Sequence, residues 1–160
     1  MRTWSDYKKT MREEDVIFSY ARSGDLPAMR SLDLSGGRIH ARNEKGYSAL
    51  MLAAYNGNLE VALFLLASGA DPNSADLSGS SVLMGAAFKG DLSIVRLLID
   101  SGAEADARNA KNQSALDFAK MFGRAEVALF LKKHQRKPAV FGLMDILSGW
   151  GSFFVSKRRS

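Results

Sequence analysis

The chain contains no cysteine. That absence excludes disulfides, a thiol nucleophile and thiolate metal ligation, and it fits a reducing compartment. Histidine is scarce as well, with only His40 and His134, so no His-Glu-x-x-His zinc helix can form. No P-loop, dinucleotide fingerprint or nucleophile elbow occurs. Gly149-Trp150-Gly151 is not a phosphate loop, and Ser78-Gly79-Ser80-Ser81 reads as a turn ending in a helix cap. Carboxylates fall mostly in caps and turns, as Asp25, Asp71 and Asp91 do. Catalytic residues, a bound metal and a cofactor are therefore not expected. The first ten residues lack the apolar stretch of a secretory signal, which makes the cytoplasm the expected location.

What is present is ordinary for a soluble globular protein: 160 residues, 46% apolar and 24% charged. The net charge of +5 is unevenly spread. Residues 132–160 carry +6 and residues 1–12 carry +3, leaving −4 for residues 13–131. A nucleic-acid domain would place its positive charge on the folded body, so nucleic acid is not an expected partner. The basic run over 132–137 has the look of a nuclear or nucleic-acid patch, but such short runs are commonly solvated ends.

One interval dominates the chain. Gly24, Gly57, Gly90 and Gly123 are evenly spaced, and Leu50, Leu83 and Leu116 keep the same step. Ala53, Ala86 and Ala119 repeat it, as do Gly36, Gly69 and Gly102, and again Ser48, Ser81 and Ser114. Five registers on one period describe a repeat protein. Each unit reads as two short helices. Ser48, Ser81 and Ser114 stand as N-caps of the first helices, with Asp15 in that place in the first unit, and a left-handed glycine closes each. Asp25, Asn58 and Asp91 stand as caps of the second helices, and Pro27 falls in a first turn where its missing N–H costs little. Paired alanines (Ala53-Ala54, Ala86-Ala87) let stacked helices approach closely, while Leu, Ile, Val and Phe fill the space between layers.

The period and the residues on it resemble the ankyrin family, whose repeat of about 33 residues carries a Thr-Pro-Leu-His-x-Ala signature. The signature stands here as Ser48-Ala49-Leu50-Met51-Leu52-Ala53, Ser81-Val82-Leu83-Met84-Gly85-Ala86 and Ser114-Ala115-Leu116-Asp117-Phe118-Ala119. The likeness continues in Gly57-Asn58-Leu59-Glu60-Val61 and in residues 65–73. It implies an all-α solenoid of four helix-pair repeats over residues 14–135, with short terminal helices. The family histidine is Met51, Met84 and Asp117 here, and the family proline is Ala49, Val82 and Ala115. The hydroxyl–imidazole bond of the first helix is thus expected to be missing, and the repeats correspondingly less rigid. In the last unit Lys132 and Gln135 replace the leucine and glycine seen as Leu66 and Gly69, the polar outer face of a terminal repeat. His40 and His134 are expected to lie too far apart along such a stack to share a site. A methionine repeated at one first-helix position, as Met51 and Met84 are, is packing before it is an iron ligand, so haem is not expected.

The resemblance also implies where a partner protein sits, because ankyrin repeats hold partners on turn tips and on the exposed face of first helices. The matching turn residues are Glu44, Lys45 and Tyr47, then Leu77, Ser78 and Ser80, then Ala110, Lys111 and Gln113. Before the helix-ending glycines stand Arg22-Ser23, Tyr55-Asn56, Phe88-Lys89 and Met121-Phe122. If they point outward, Tyr55, Phe88 and Phe122 form an aromatic ladder interleaved with Asn56 and Lys89, the residue types of interface hot spots.

The two ends remain. Residues 1–13, with Trp4, Tyr7 and Met11 on one side of a short helix, read as a lid on the first unit. Pro138 breaks the last repeat helix, and residues 136–160 form a basic, amphipathic tail with Val140, Leu143, Leu147, Trp150 and Phe154 at helical spacing. The run is too short and glycine-rich for a membrane span. Docking on the last repeat, insertion into a partner's groove and an interfacial membrane anchor through Leu143, Leu147, Trp150 and Phe154 all fit it.

The whole reads as a monomeric adaptor or accessory protein that binds a protein partner on its concave face. The segments 85–90 and 121–124 are similar to a subgroup of short bacterial ankyrin proteins encoded beside catalase genes, which implies support of an oxidative-stress enzyme. An inhibitor or immunity-type protein, or a membrane-associated scaffold held by its tail, are the competing expectations.

Overall fold

The computed structural model describes residues 16–135. The expected lid over 1–13, the Asp15 cap and the tail over 136–160, with Leu143, Leu147, Trp150 and Phe154, lie outside the described residues. Within them the chain is helical, without strands. Residues 16–23 form α1, followed by α2 (Leu26–Arg30) and a single 3-10 turn, Arg38–His40. Three further pairs are α3 (Ala49–Tyr55) with α4 (Leu59–Ala67), α5 (Val82–Lys89) with α6 (Leu92–Asp100), and α7 (Ala115–Met121) with α8 (Ala125–His134). The odd-numbered helices stack into one layer and the even-numbered into another, giving the four-unit solenoid. No helix among the described residues is long and apolar enough to cross a membrane.

Caps set the starts of the helices. Ser48, Ser81 and Ser114 take extended backbone, and each hydroxyl accepts the N–H three residues on, from Met51, Met84 and Asp117. Asp25 and Asp91 do the same for Ala28 and Ile94. Asn58, expected to cap α4, does not. Its side-chain amide instead donates to the Ala21 and Arg22 carbonyls at the end of α1, at 2.9 and 3.0 Å. At the same register Arg124 donates from Nε to the Phe88 carbonyl at 3.0 Å. Side chains that can donate are drawn to the unpaired carbonyls closing the preceding unit's first helix, and they tie unit to unit.

The bond expected to vanish with the family histidine is replaced in two of three units. Asp117 Oδ2 accepts from both the N–H and the hydroxyl of Ser114, a closed capping box. Met84 Sδ takes the Ser81 N–H at 3.4 Å, a weaker version of the same. Beside Met51, the Ser48 hydroxyl pairs with that of Ser74 instead, buried at 2.9 Å.

The first unit departs from the others. Helix α2 stops after five residues, whereas α4 and α6 run for nine. Ser31, Asp33 and Ser35 explain the stop: the Ser31 hydroxyl bonds back to the Ala28 carbonyl, and Asp33 accepts the Ser35 N–H. Such local bonds offer the backbone an alternative to helix. The bonds from Ser35 hold the Asp33 carboxyl below its usual range.

The core lies between the two layers. Ala21, Ala53, Ala54, Ala86, Ala87 and Ala119 have no exposure at all, which is how the first helices approach so closely. Val61, Leu65, Ile94, Leu98, Val127 and Leu131 close it from the second helices. At the end of the stack Ala128 is half-buried where its equivalents Ala62 and Val95 are covered. Lys132 and Lys133 are exposed there as a terminal face requires, yet Leu129 is 61% exposed beside them.

Candidate functional site

The concave side is built from three turns and the first helices behind them. Each turn hangs on one side chain: Asn43 Oδ1 accepts the N–H groups of Lys45 and Tyr47, at 3.0 and 2.9 Å. Asp76 does so for Ser78 and Ser80, and Asn109 for Lys111 and Gln113, all within 3.0 Å. This is the Asx turn, in which a short carbonyl side chain replaces a backbone acceptor. The fourth residue of each turn has left-handed backbone: Gly46, Gly79 and Asn112, with φ of 78°, 76° and 60°. Successive turns then bond edge to edge, Leu77 N–H to the Lys45 carbonyl and Ala110 N–H to that of Ser78. Arg42 fastens the first turn to the second by donating to the Ala75 carbonyl. Asn43, Asp76 and Asn109 are not among the candidates drawn from the sequence, although they too stand one repeat apart and could have been found by that signal.

Behind the turns runs a row of rings. Tyr55 and Phe88 are stacked, with centroids 5.7 Å apart and planes 7° from parallel. Phe88 meets Phe122 edge-on at 4.4 Å, and Phe122 stacks on Phe118 at 6.5 Å. Lys89 places its ammonium 5.2 Å from the centre of the Tyr55 ring. Tyr55 and Phe122 are each 43% exposed, so the row is neither buried nor loose. By spacing, Met121 and not Phe122 is the equivalent of Tyr55 and Phe88. The ladder steps sideways in the last unit because the Phe118 ring receives Phe122, leaving Met121 59% exposed.

Turns and helices enclose a groove of about 1020 Å³. Of the expected binding residues, Lys45, Tyr47, Tyr55, Asn56 and Phe88 line it. Lys89 and Phe122 adjoin it through their ring contacts. Leu77, at 81% exposure, and Lys111 stand on the turn tips, and Met121 lies apart. The floor brings in residues absent from the expected surface: Met51, Met84, Leu52, Gly85 and Phe118 from the first helices, and Phe18 from α1. Arg22, Arg42, Lys45 and Glu44 supply the charged rim.

The two histidines stand outside this groove. His40 is exposed on the 3-10 turn, and His134, at the end of α8, bonds through Nδ1 to the Phe130 carbonyl with its ring 4.1 Å from that of Phe130. Among the described residues no group of three or more His, Asp or Glu side chains is placed to hold a metal ion.

The pattern of ankyrin repeats (3 copies) matches the chain over residues 17–109 and again over 50–140. Those windows span well over half of its length, and the chain belongs to the ankyrin-repeat family. No curated protein matches it. Ankyrin repeats are protein–protein interaction modules, stacked units whose concave side offers an extended binding surface.

Proposed function

We propose that the protein is a small cytoplasmic adaptor that holds one protein partner on its concave face, through Tyr55, Phe88 and Phe122 with Asn56, Lys89 and the turn residues Lys45, Tyr47, Leu77 and Lys111. Its work is binding rather than catalysis. The observation that carries the reading is the unbroken run of ring contacts from Tyr55 through Phe88 to Phe122, half-exposed beside an open groove. The buried core is made chiefly of alanines and aliphatic side chains, and Tyr55, Phe88 and Phe122 stand outside it at its margin. Rigid aromatic side chains at half exposure, next to polar neighbours, are the material of interface hot spots. Service to an oxidative-stress enzyme such as catalase is the partner class suggested by the likeness of segments 85–90 and 121–124.

Affinity capture from native lysate, read by mass spectrometry, tests this. Wild type is compared with a Tyr55→Ala, Phe88→Ala, Phe122→Ala variant whose fold is verified by circular dichroism. A partner retained by wild type and lost from the variant is the expected result. Equal retention would move the binding surface away from the concave face.

A further inference from the structure

The register that carries leucine in α3 and phenylalanine in α7 carries no side chain in α5. Leu52, Gly85 and Phe118 stand one repeat apart, and all three line the groove. A glycine inside a helix is destabilising relative to alanine, so its presence asks for a reason. Neither of the usual structural reasons applies. Gly85 lies within the helix Val82–Lys89 and is not among the glycines of positive φ. Nor is it pressed by a neighbour: a Cβ built on it would meet only Tyr55 Cδ2, at 3.9 Å, an ordinary contact. Backbone and packing alike accept alanine here. What the missing side chain leaves is room in the middle of the groove floor, with Tyr55 beside it and Phe88 one turn on.

The rim around this gap is cationic. Arg22 and Lys45 are exposed and make no ion pair among the described residues. Arg42, bonded to the Ala75 carbonyl, is a third cation in the lining, and Lys89 adds a fourth over the Tyr55 ring. Against these four cations stand two carboxylates in the lining, Glu44 and Asp76, the latter turned onto the N–H groups of its own turn. The repeats as a whole are acidic, −4 over residues 13–131, so this positive rim is local to the groove.

We infer that the gap over Gly85 is a specificity pocket, and that it receives one bulky apolar side chain of an acidic segment in the partner protein. The inference rests on the concave face being the docking surface and adds the chemistry of what docks there. The apolar side chain displaces poorly held water from a floor of methionine, leucine and ring carbon, and flanking carboxylates meet Arg22, Lys45 and Lys89.

The test is a displayed library of short random peptides selected against the full chain, with bound sequences then measured as labelled synthetic peptides. The expected consensus is a single Leu, Met or Phe flanked by Asp or Glu. Such peptides should bind Gly85→Leu about tenfold or more weakly than wild type. Replacing the anchor by alanine in the peptide should cost as much against wild type and little against Gly85→Leu. Gly85→Ala is the second variant, safe for the fold on the contact distance above; it should melt no lower than wild type and shift the selected anchor to a smaller side chain. A consensus without an apolar anchor, binding indifferent to Gly85→Leu and Gly85→Ala, or no enrichment over an unrelated protein overturns the pocket. Peptides that ignore Gly85 yet are lost from the Tyr55, Phe88, Phe122 variant sink the pocket alone. Peptides that ignore both sets of substitutions remove the groove as well.

Discussion

Ser114 and Asp117 close a ring of hydrogen bonds: the serine N–H and hydroxyl reach Asp117 Oδ2 at 2.9 and 2.7 Å, while the serine oxygen takes the Asp117 N–H at 3.3 Å. The carboxylate is stabilised first by the Ser114 N–H, then by the hydroxyl, with smaller help from Arg108 and Lys120, and its pKa lies below the ordinary range. A depressed carboxylate pKa adds stability above the unfolded pKa of about 4, and that contribution is lost as pH falls through the lower folded value. Urea unfolding of wild type and Asp117→Asn across pH should show the variant less stable at neutrality, with the gap closing on acidification. A gap that is constant with pH would mean that the ionised carboxylate contributes nothing. Ser114→Ala, which removes both partners of the ring at the hydroxyl, should cost about 1 kcal/mol.

The Phe88 ring is the shared member of two contacts, stacked on Tyr55 and edge-on to Phe122. Each aromatic pair contributes about 0.5–1.5 kcal/mol beyond burial. Among the described residues Tyr55 has one ring contact. Phe122 also has two, with Phe88 and Phe118, but it is 43% exposed where Phe88 is more covered. Phe88→Ala should therefore destabilise the chain more than Tyr55→Ala or Phe122→Ala, by roughly 2–3 kcal/mol including lost apolar area. Double-mutant cycles by chemical denaturation should give coupling for Tyr55 with Phe88 and for Phe88 with Phe122, and close to none for Tyr55 with Phe122. Direct coupling of the two outer rings would mean that the row moves as a unit.

Much of this architecture was legible because it is written several times over. The registers of Gly57, Ser48 and Ala53 each recur at the same interval, and every recurrence is an independent statement of the same local geometry. The turn acceptors Asn43, Asp76 and Asn109 carry that signal too, although they are not among the candidates drawn from the sequence. The other features that escaped are those that occur once or depend on a distant partner. Asn58 has the residue type of a cap, but asparagine both accepts and donates, and its actual partners, Ala21 and Arg22, lie in the preceding unit. The early end of α2 is encoded locally by Ser31, Asp33 and Ser35, of which Ser31 and Asp33 stand outside the repeated registers. On the concave face, spacing points to Met121 as the equivalent of Tyr55 and Phe88 while residue type points to Phe122; the neighbouring Phe118 ring, which receives Phe122, decides between them. Gly85 stands in plain view within a signature, and only the absence of any close neighbour gives it meaning.

Gly46 and Gly79 hold the same turn position but not the same surroundings. Both have positive φ, so alanine at either should cost about 1 kcal/mol or somewhat more from backbone strain. At Gly46 a Cβ would also come within 2.9 Å of the Leu77 backbone nitrogen, whereas at Gly79 the nearest atom, the Ala110 nitrogen, is 3.4 Å away. Gly46→Ala should therefore be clearly the more destabilising, because it pushes the first turn off the second. Equal costs in thermal melts would show that the turns yield to one another. Asn112, which takes the same conformation in the third turn, marks asparagine as the mildest replacement at Gly79, where a Cβ has room.

Asn58 holds the first unit to the second by two bonds from one amide. The first unit depends on that tie more than the others do, since its second helix is only five residues long. Asn58→Asp converts the donating amide into an acceptor facing two carbonyls at the negative end of α1, leaving them unpaired and adding like charge. The cost should be about 1–3 kcal/mol, the range for a lost pairing at a partly buried polar group. It should fall unevenly, because in a solenoid each unit is supported only by its neighbours. Hydrogen exchange followed by mass spectrometry should show protection lost over residues 16–30 while α5 to α8 keep theirs. Protection lost evenly along the stack would mean that the four units unfold as one, and that Asn58 supports all of them rather than the first.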